Sequence, residues 1–210
     1  MAVGTQDVLR WLETSHRIFA EHQQRLTEMD QAVGDGDFGF SLARGFSAVQ
    51  TELSAKPPAD IKTAFSNVAT VLIKTMGGSS GPLFGTFFLR AGATCAGKTE
   101  LTAADVAALF QAGVEGMQQR GKAEVGDKTM MDALIPAAAA MRAAAEAGGG
   151  LVDVLAQGTA AAEAGAQATI GMQARKGRGS YLGERSVGHP DPGAVAAHML
   201  IKAAADTWRA

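Results

Sequence analysis

Residues 60–89 read DIKTAFSNVATVLIKTMGGSSGPLFGTFFL, and this stretch shows how the chain folds. Its first half carries apolar residues at the spacing of one helix face, namely Ile61, Phe65, Val68, Leu72 and Met76. The Gly-Ser segment 77–81 that follows is typical of a turn. Pro82 suits the first position of a new helix, where its missing N–H costs nothing. The stretch therefore predicts a helix, a turn and a second helix.

The rest of the chain is also predicted to be helical, because it lacks alternating runs of β-branched residues and good helix formers dominate it. The sequence predicts an all-α protein of roughly seven or eight helices. We read residues 1–210 as a single helical domain, since no repeat or linker interrupts them. Besides the two helices above, helices are predicted at 5–29, 41–54, 102–120, 129–147, 151–173 and 194–208.

Composition excludes several classes of protein. With 47% hydrophobic and 19% charged residues, the chain is not a disordered tail. A net charge of −2 indicates no broad basic surface, so we expect no nucleic-acid partner. Cys95 is the only cysteine, which excludes an internal disulfide and fits a reducing cytoplasm. Neither a signal peptide nor a long apolar run is visible, so we expect no membrane contact.

Three carboxylates fall close together at the end of the first predicted helix. Asp30, Asp35 and Asp37 lie around a glycine-rich turn at 34–39. Crowding these charges is costly unless a cation lies between them, and oxygen ligands suit Mg²⁺. Because Mg²⁺ takes further ligands from phosphates, the cluster suggests a phosphate-bearing partner. A solvated acidic turn is the alternative, since aspartate and glycine are common turn residues.

Two nucleotide-binding patterns occur in contexts that do not support them. Gly34-x-Gly36-x-x-Gly39 matches the dinucleotide fingerprint, but no strand precedes it and its acidic residues would repel pyrophosphate. Residues 92–99, GATCAGKT, match the P-loop pattern letter for letter. A helical pattern precedes them, and a new capping box begins at Thr102. We therefore expect neither a Rossmann fold nor a P-loop.

Three further segments are candidates for phosphate contact. Residues 78–81, GSSG, lie at a predicted helix start, where free N–H groups attract anions. Residues 126–130, GDKTM, are of the same kind, and residues 174–193 concentrate cations and glycines that suit a transferring phosphoryl group. The alternatives are helix caps for the first two segments and a solvated surface loop for the third.

Taken together, five stretches in this order resemble the L subunit of dihydroxyacetone kinase, its nucleotide-binding subunit. The resemblance covers nearly the whole chain, and five ordered motifs are far more specific than any one of them. The stretches are DQAVGDGDFG at 30–39, GGSSGPLFG at 77–85, GDKTMMD at 126–132, QARKGRGSYLGER at 173–185 and GHPDPG at 188–193.

The resemblance implies a barrel of about eight antiparallel helices with the nucleotide at one end. It implies that Asp30, Asp35 and Asp37 hold two Mg²⁺ ions on the phosphates of ADP or ATP, and that Arg178 is catalytic. One position departs from the family, which often has histidine where this chain has Phe38, so a side-chain hydrogen bond to phosphate is lost. The nucleotide-binding residues implied are Phe38, Gly39, Phe40, Ser41, Ser79, Ser80, Gly121, Met130, Arg178, Asp191, Pro192 and Gly193.

The family also implies a reaction and its partners. Dihydroxyacetone lies on a separate K subunit, and the L subunit either uses free ATP or keeps its ADP as a coenzyme. In the second mode, that of a phosphoenolpyruvate-dependent glycerone kinase, a phosphohistidine partner of the phosphotransferase system rephosphorylates the ADP. We expect this mode, because the chain begins in its first helix and ends in its last. An ATP-dependent kinase for this or another short ketose or polyol, a nucleotide-sensing module without catalysis, and a homodimer remain open.

Overall fold

The computed structural model describes residues 2–209, and in that part of the chain it confirms an all-α architecture. The only strands within residues 2–209 are two short segments that pair with each other, β1 and β2. The elements in chain order are β1 Val3–Gly4, α1 Thr5–Glu21, α2 Gln23–Val33, α3 Phe38–Ala55, α4 Ile61–Thr75, α5 Ser80–Thr94, β2 Glu100–Leu101, α6 Ala103–Gly121, α7 Met131–Glu146, α8 Leu151–Ala168 and α9 Pro192–Thr207.

The stretch that predicted helix, turn and helix forms α4 and α5. Asp60 caps α4 by accepting a hydrogen bond from the backbone N–H of Thr63 at 2.6 Å. The sequence predicted that Pro82 is the first residue of α5. The helix begins at Ser80 instead, so Pro82 is its third residue. The difference has no energetic consequence, because the first four N–H groups of any helix lack an intrahelical acceptor.

Several predicted boundaries were wrong. The first helix is divided at His22, whose backbone leaves helical geometry for one residue. Helix α3 begins at Phe38 rather than 41, since its start overlaps the turn that carries the acidic cluster. Helix α9 begins at Pro192 rather than 194, with Asp191 as its N-cap.

The polar region before α9 is more ordered than the sequence indicated. Helix α8 ends at Ala168, and a short 3-10 turn, Thr169–Gly171, takes the place of its predicted last turn. A second 3-10 segment, Arg178–Ser186, occupies most of the predicted loop, with a kink at Gly183. Short 3-10 turns leave no hydrophobic periodicity, so a sequence pattern does not reveal them.

The P-loop-like residues lie at the other end of α5, across the helix from the Gly-Ser turn. Gly92 is inside the helix, where an added Cβ would lie 2.8 Å from the Phe65 Cβ. The Lys98 ammonium pairs with Asp105, in the capping box of α6, rather than pointing into a phosphate cradle. The packing of Gly92 and the pairing of Lys98 do not fit a P-loop.

Successive helices from α3 to α9 pack against each other, and α1 closes the barrel by contacting both α3 and α9. Helices that are neighbours in sequence and joined by short connections run antiparallel. Every second connection therefore reaches the same end of the barrel. That end gathers the α2–α3, α4–α5, α6–α7 and α8–α9 connections, which contain all five of the segments singled out from the sequence.

An aromatic cluster fills the core between the two ends. Trp11 is fully buried, and its ring lies within 6.1 Å of the rings of Phe65, Phe88, Phe110 and Trp208. The indole N–H groups are satisfied by backbone carbonyls, because Trp11 donates to Leu200 and Trp208 donates to Asp7, both at 3.0 Å. Of the helices in residues 2–209, none has the length and apolar character needed to cross a membrane.

Candidate functional site

A pocket of about 640 Å³ opens at the end of the barrel where the four connections meet. Helices α3, α5, α7 and α9 all begin there, so four partly positive helix ends point towards it. Twelve of the residues implied by the resemblance line this pocket. They are Asp30, Asp35, Asp37, Phe38, Ser79, Ser80, Gly121, Met130, Arg178, Asp191, Pro192 and Gly193.

The acidic cluster forms one wall of the pocket. Asp30 is buried in the last turn of α2, while Asp35 and Asp37 are exposed in the turn that follows. One carboxylate oxygen from each residue lies within 4.8 Å of the other two. Asp30 is fixed in place because its Oδ2 accepts the backbone N–H of Phe38 at 3.1 Å. Three convergent carboxylates on a short, hydrogen-bonded turn form a donor set suited to a hard divalent cation.

The charges of this cluster oppose one another in the absence of a cation. Partial removal from water raises the pKa of Asp37, and the neighbouring carboxylates of Asp35 and Asp30 raise it further. The guanidinium of Arg178 acts in the opposite direction and forms an ion pair with Asp35, at 2.9 Å. A bound Mg²⁺ would relieve the same repulsion more completely, since its double charge would lie among all three carboxylates.

The Gly-Ser turn at residues 77–81, which we call the serine turn, faces this wall from the start of α5. Gly78 has a φ of +60°, a left-handed conformation that glycine adopts freely, and a Cβ at this position would meet nothing within 4 Å. The turn thus leaves open space beside Ser79 and Ser80, whose N–H groups belong to the unpaired first turn of a helix. This combination suits an incoming phosphate.

Three residues implied by the resemblance do not line the pocket. Gly39 packs against α2, where an added Cβ would lie 2.3 Å from the Gln23 carbonyl oxygen. Phe40 projects outwards and is half exposed. Ser41 is buried, and its Oγ accepts the N–H of Gly77 at 2.9 Å, so it holds the serine turn in place. Any ligand contact by Gly39 and Phe40 would have to come from N–H groups in the first turn of α3.

Apolar side chains also line the pocket. Leu83 from α5, Met117 from α6 and Ala123 from the next connection line it together with the predicted Met130 and Pro192. An apolar lining of this kind suits a purine base, while the acidic cluster and the serine turn suit its phosphates. The first three of these residues were missed, because in sequence Leu83 and Met117 look like ordinary core positions of a helix and Ala123 looks like an ordinary connection residue.

Asp191 joins the pocket to the start of α9. Its Oδ2 accepts the Ala194 N–H at 2.7 Å, which caps the helix. Burial raises the pKa of Asp191 to about 7, and the carboxylates of Asp132 and Asp30 add to this, while the Ala194 bond and the Lys128 ammonium oppose it. The carboxyl group of Asp191 therefore titrates much closer to neutral pH than an ordinary aspartate does.

An Asp191→Asn variant should change how the stability of the ligand-free protein depends on pH. The pKa of Asp191 is higher in the folded protein, at about 7, than in the unfolded chain, at 3.8. Its contribution to the free energy of unfolding is therefore complete below pH 3.8 and is lost as the pH rises to about 7. Asparagine retains the capping oxygen but does not ionise. We expect the melting temperature of the variant, relative to wild type, to be higher at pH 8 than at pH 5, as measured by thermal denaturation.

Asp60→Asn is the matched control, since Asp60 caps α4 in the same way. The bond from Thr63 lowers the pKa of Asp60, so this residue stays ionised at both pH values. Its variant should differ from wild type by the same amount at pH 5 and pH 8. If the Asp191→Asn variant also differed from wild type by the same amount at pH 5 and pH 8, that result would contradict the raised pKa of Asp191.

Comparison with known proteins identifies relatives along nearly the whole chain. The family model for the DAK2 domain matches residues 32–206. The ADP-binding subunit of the PEP-dependent dihydroxyacetone kinase of Escherichia coli is 41% identical over 202 residues, which are 96% of this chain and 96% of that protein. The corresponding subunit of kinase 1 of Listeria innocua is 38% identical, over 95% of this chain and 94% of the relative.

A solved structure shares the fold. The dihydroxyacetone kinase from C. freundii, in complex with AMP-PNP and Mg²⁺, superimposes with a TM-score of 0.74 and 31% identity. The match covers 95% of this chain and 33% of that one, so this chain spans about a third of the length of the C. freundii kinase.

Proposed function

The chain belongs to the DAK2 domain family, and from this premise we propose that it is the ADP-binding subunit of a phosphoenolpyruvate-dependent dihydroxyacetone kinase. It would accept a phosphoryl group from a phosphohistidine partner onto ADP and pass it to dihydroxyacetone held on a K subunit. The function of the E. coli and L. innocua relatives, which match this chain over almost their entire lengths, supports this proposal.

One observation of the structure carries the proposal. The carboxylates of Asp30, Asp35 and Asp37 converge on the same pocket as the serine turn at Ser79 and the guanidinium of Arg178. A nucleoside polyphosphate carries a chain of negative charges and needs cations on one side and N–H donors on the other. This pocket offers both, together with apolar lining residues that suit the base.

Each part of the pocket has a separate task in the proposed transfer. Two Mg²⁺ ions held by the three carboxylates would neutralise charge on the phosphates. Ser79 and Ser80 would bind phosphate oxygens through the first turn of α5 and so fix the direction of the phosphate chain. Arg178, which already reaches Asp35, would stabilise the transferring phosphoryl group as its charge spreads over the equatorial oxygens.

Proximity explains why a small subunit can act on two partners. Phosphoryl transfer needs aligned reactants and charge neutralisation more than covalent participation by the protein. The pocket opens at the barrel end, where the phosphohistidine partner and the K subunit could approach the same phosphate in turn. The substrate ketone would then be recognised by the K subunit, and the nucleotide would never need to leave.

The proposal predicts that ADP behaves as a resident coenzyme. Purified protein should retain about one equivalent of ADP through dialysis in magnesium, and should lose it when EDTA removes the metal. Adding Mg²⁺ and ADP back at about 100 times Kd should stabilise the fold by about 2.7 kcal/mol, because the ligand binds only the folded state. Nucleotide content after denaturation and thermal unfolding measure these two effects.

The second candidate is an ATP-dependent kinase subunit, and the AMP-PNP complex of the C. freundii kinase favours it. The two modes are separated by turnover assays with a K subunit and dihydroxyacetone. Turnover with phosphoenolpyruvate and the phosphotransferase proteins, but not with free ATP, supports the coenzyme role. Turnover on free ATP alone would replace the proposal with the second candidate.

A further inference from the structure

Lys128 is a buried cation in the wall of the pocket that the proposed transfer does not use. Only 2% of its surface is exposed. Its backbone has a φ of +60°, which is uncommon for a residue other than glycine. A conformation and a burial that both cost free energy persist only where the surrounding structure holds them in place, and such positions cluster at functional sites.

The ammonium of Lys128 is saturated with backbone carbonyls. Its Nζ donates to the carbonyl oxygen of Thr169 at 2.5 Å, of Met172 at 3.1 Å and of His189 at 2.5 Å. Burial lowers the pKa of Lys128, while the carboxylates of Asp191 and Asp132 counteract this. Three acceptors around one nitrogen require all three N–H bonds of the protonated form, so no donor is left for a phosphate.

These carbonyls flank the segment that carries Arg178. We name residues 173–188 the arch; Met172 precedes it and His189 follows it. Lys128 therefore joins the two ends of the arch, which we call its feet, by binding Met172 on one side and His189 on the other. Two backbone bonds strengthen the same base, from Arg175 N to Asp127 O at 3.0 Å and from Gly188 N to Ile170 O at 2.8 Å.

The position of Lys128 is itself fixed by a second buried charge. Asp132, 1% exposed, accepts the N–H of Gly126 at 2.5 Å and the N–H of Thr129 at 2.7 Å. These bonds hold the 126–129 turn against the start of α7. Asp191 N in turn donates to the Thr169 hydroxyl at 2.9 Å, next to one of the Lys128 acceptors. The network thus links the start of α7, the arch and the start of α9.

We propose that Lys128 is a positioning residue, which clips the feet of the arch together and so sets Arg178 and the Asp191–Gly193 turn at the distance that the nucleotide requires. The inference rests on the proposed nucleotide function for its consequence, though the clip itself does not. Lys128 acts through the backbone of the arch and touches neither phosphate nor metal.

The first test removes the ammonium and retains the length of the side chain. In Lys128→Met we expect the affinity for Mg²⁺ and ADP, measured by calorimetry, to fall about 10- to 100-fold, as it does when outer-shell support of a site is lost. Trypsin should cleave the arch faster after Arg175, Lys176, Arg178 and Arg185, as detected by mass spectrometry. Circular dichroism should show the helices unchanged.

Lys122→Met is the matched control, because Lys122 is a nearby lysine that also has a left-handed backbone, with a φ of +50°. Its side chain is exposed and does not line the pocket. This variant should bind ADP and resist trypsin like wild type. Wild-type affinity together with wild-type cleavage of the arch in Lys128→Met would overturn the proposal.

Chemical rescue distinguishes positioning from general destabilisation. In Lys128→Ala, propylammonium has the size and the three donors of the missing group, whereas tetramethylammonium has the charge without donors. We expect propylammonium alone to slow cleavage of the arch and to restore ADP binding, even if the variant is partly unfolded without it. Failure of this rescue would overturn the clip. If wild-type protein bound no ADP, the proposed function would fail, while the cleavage measurements would still decide the role of Lys128.

Discussion

Replacing Asp37 by asparagine is expected to weaken magnesium-dependent nucleotide binding severely and, at the same time, to stabilise the ligand-free protein. Loss of outer-shell support alone weakens metal sites 10- to 100-fold, so loss of a direct carboxylate should weaken Mg²⁺–ADP binding by about 100-fold or more. Phosphoryl transfer should fall at least as far, because the metal supports both binding and charge neutralisation. Calorimetry and coupled turnover measure these losses.

The gain in stability follows from the raised pKa of Asp37. A carboxyl whose folded pKa lies above its unfolded value destabilises the fold once it is ionised, so its charge is unfavourable at pH 7. Removing the charge relieves repulsion with Asp35 and Asp30. Because the side chain is exposed, solvent screens the effect, and we expect the melting temperature to rise by only about 1–3 °C.

A control residue separates this effect from a general response to lost charge. Asp206 is exposed in the last turns of α9, away from the pocket, and pairs with Lys202. Asp206→Asn should leave Mg²⁺–ADP binding unchanged and should not stabilise the protein. The metal-site assignment would be wrong if Asp37→Asn bound Mg²⁺–ADP as tightly as wild type.

Adding one methyl group at Gly165 is expected to destabilise the fold severely. Gly165 lies in α8 where it crosses α7, and its Cβ would be 2.0 Å from the Asp132 carbonyl oxygen. Backbone cannot move aside as a side chain can, so the two helices would have to separate. We expect Gly165→Ala to lower the free energy of unfolding by about 3 kcal/mol or more, which denaturant titration would measure.

Alanine substitutions at two other glycines are expected to cost less stability, and they serve as controls for this prediction. At Gly158, on the same pair of helices, the added Cβ would meet the Met141 side chain, with its Cε at 2.2 Å. A methionine can change rotamer, so Gly158→Ala should cost less. At Gly171 nothing lies within 4 Å, and Gly171→Ala should stay within about 0.5 kcal/mol of wild type. Equal stability of all three variants would contradict the close approach of α7 and α8.

The close approach also affects the site. Asp132, whose carbonyl oxygen meets Gly165, uses its carboxylate to hold the turn that contains Lys128. Displacing α7 would therefore displace one wall of the pocket. Alanine-rich helices with glycine at their crossings allow this tight packing, which gives the pocket a rigid frame.

The sequence by itself determined most of the helices and indicated the chemistry of the ligand. Helical spacing in residues 60–76, and the polar turn after it, placed α4 and α5 to within a few residues. Crowding of Asp30, Asp35 and Asp37 in one short segment indicated a cation, because this feature is local and needs no knowledge of the fold. Five motifs in order then identified the family.

Only the tertiary structure decided which segments meet. Alternating helix directions bring every second connection to one end of the barrel, and this depends on packing between helices far apart in sequence. For the same reason the apolar lining at Leu83 and Met117 could not be told from ordinary core. Lys128 was hidden as well, because its acceptors are backbone carbonyls 41 to 61 residues away, and a carbonyl group is present at every residue. The sequence specifies the chemistry of each side chain, whereas the distances between backbone groups far apart in the chain are set only by folding.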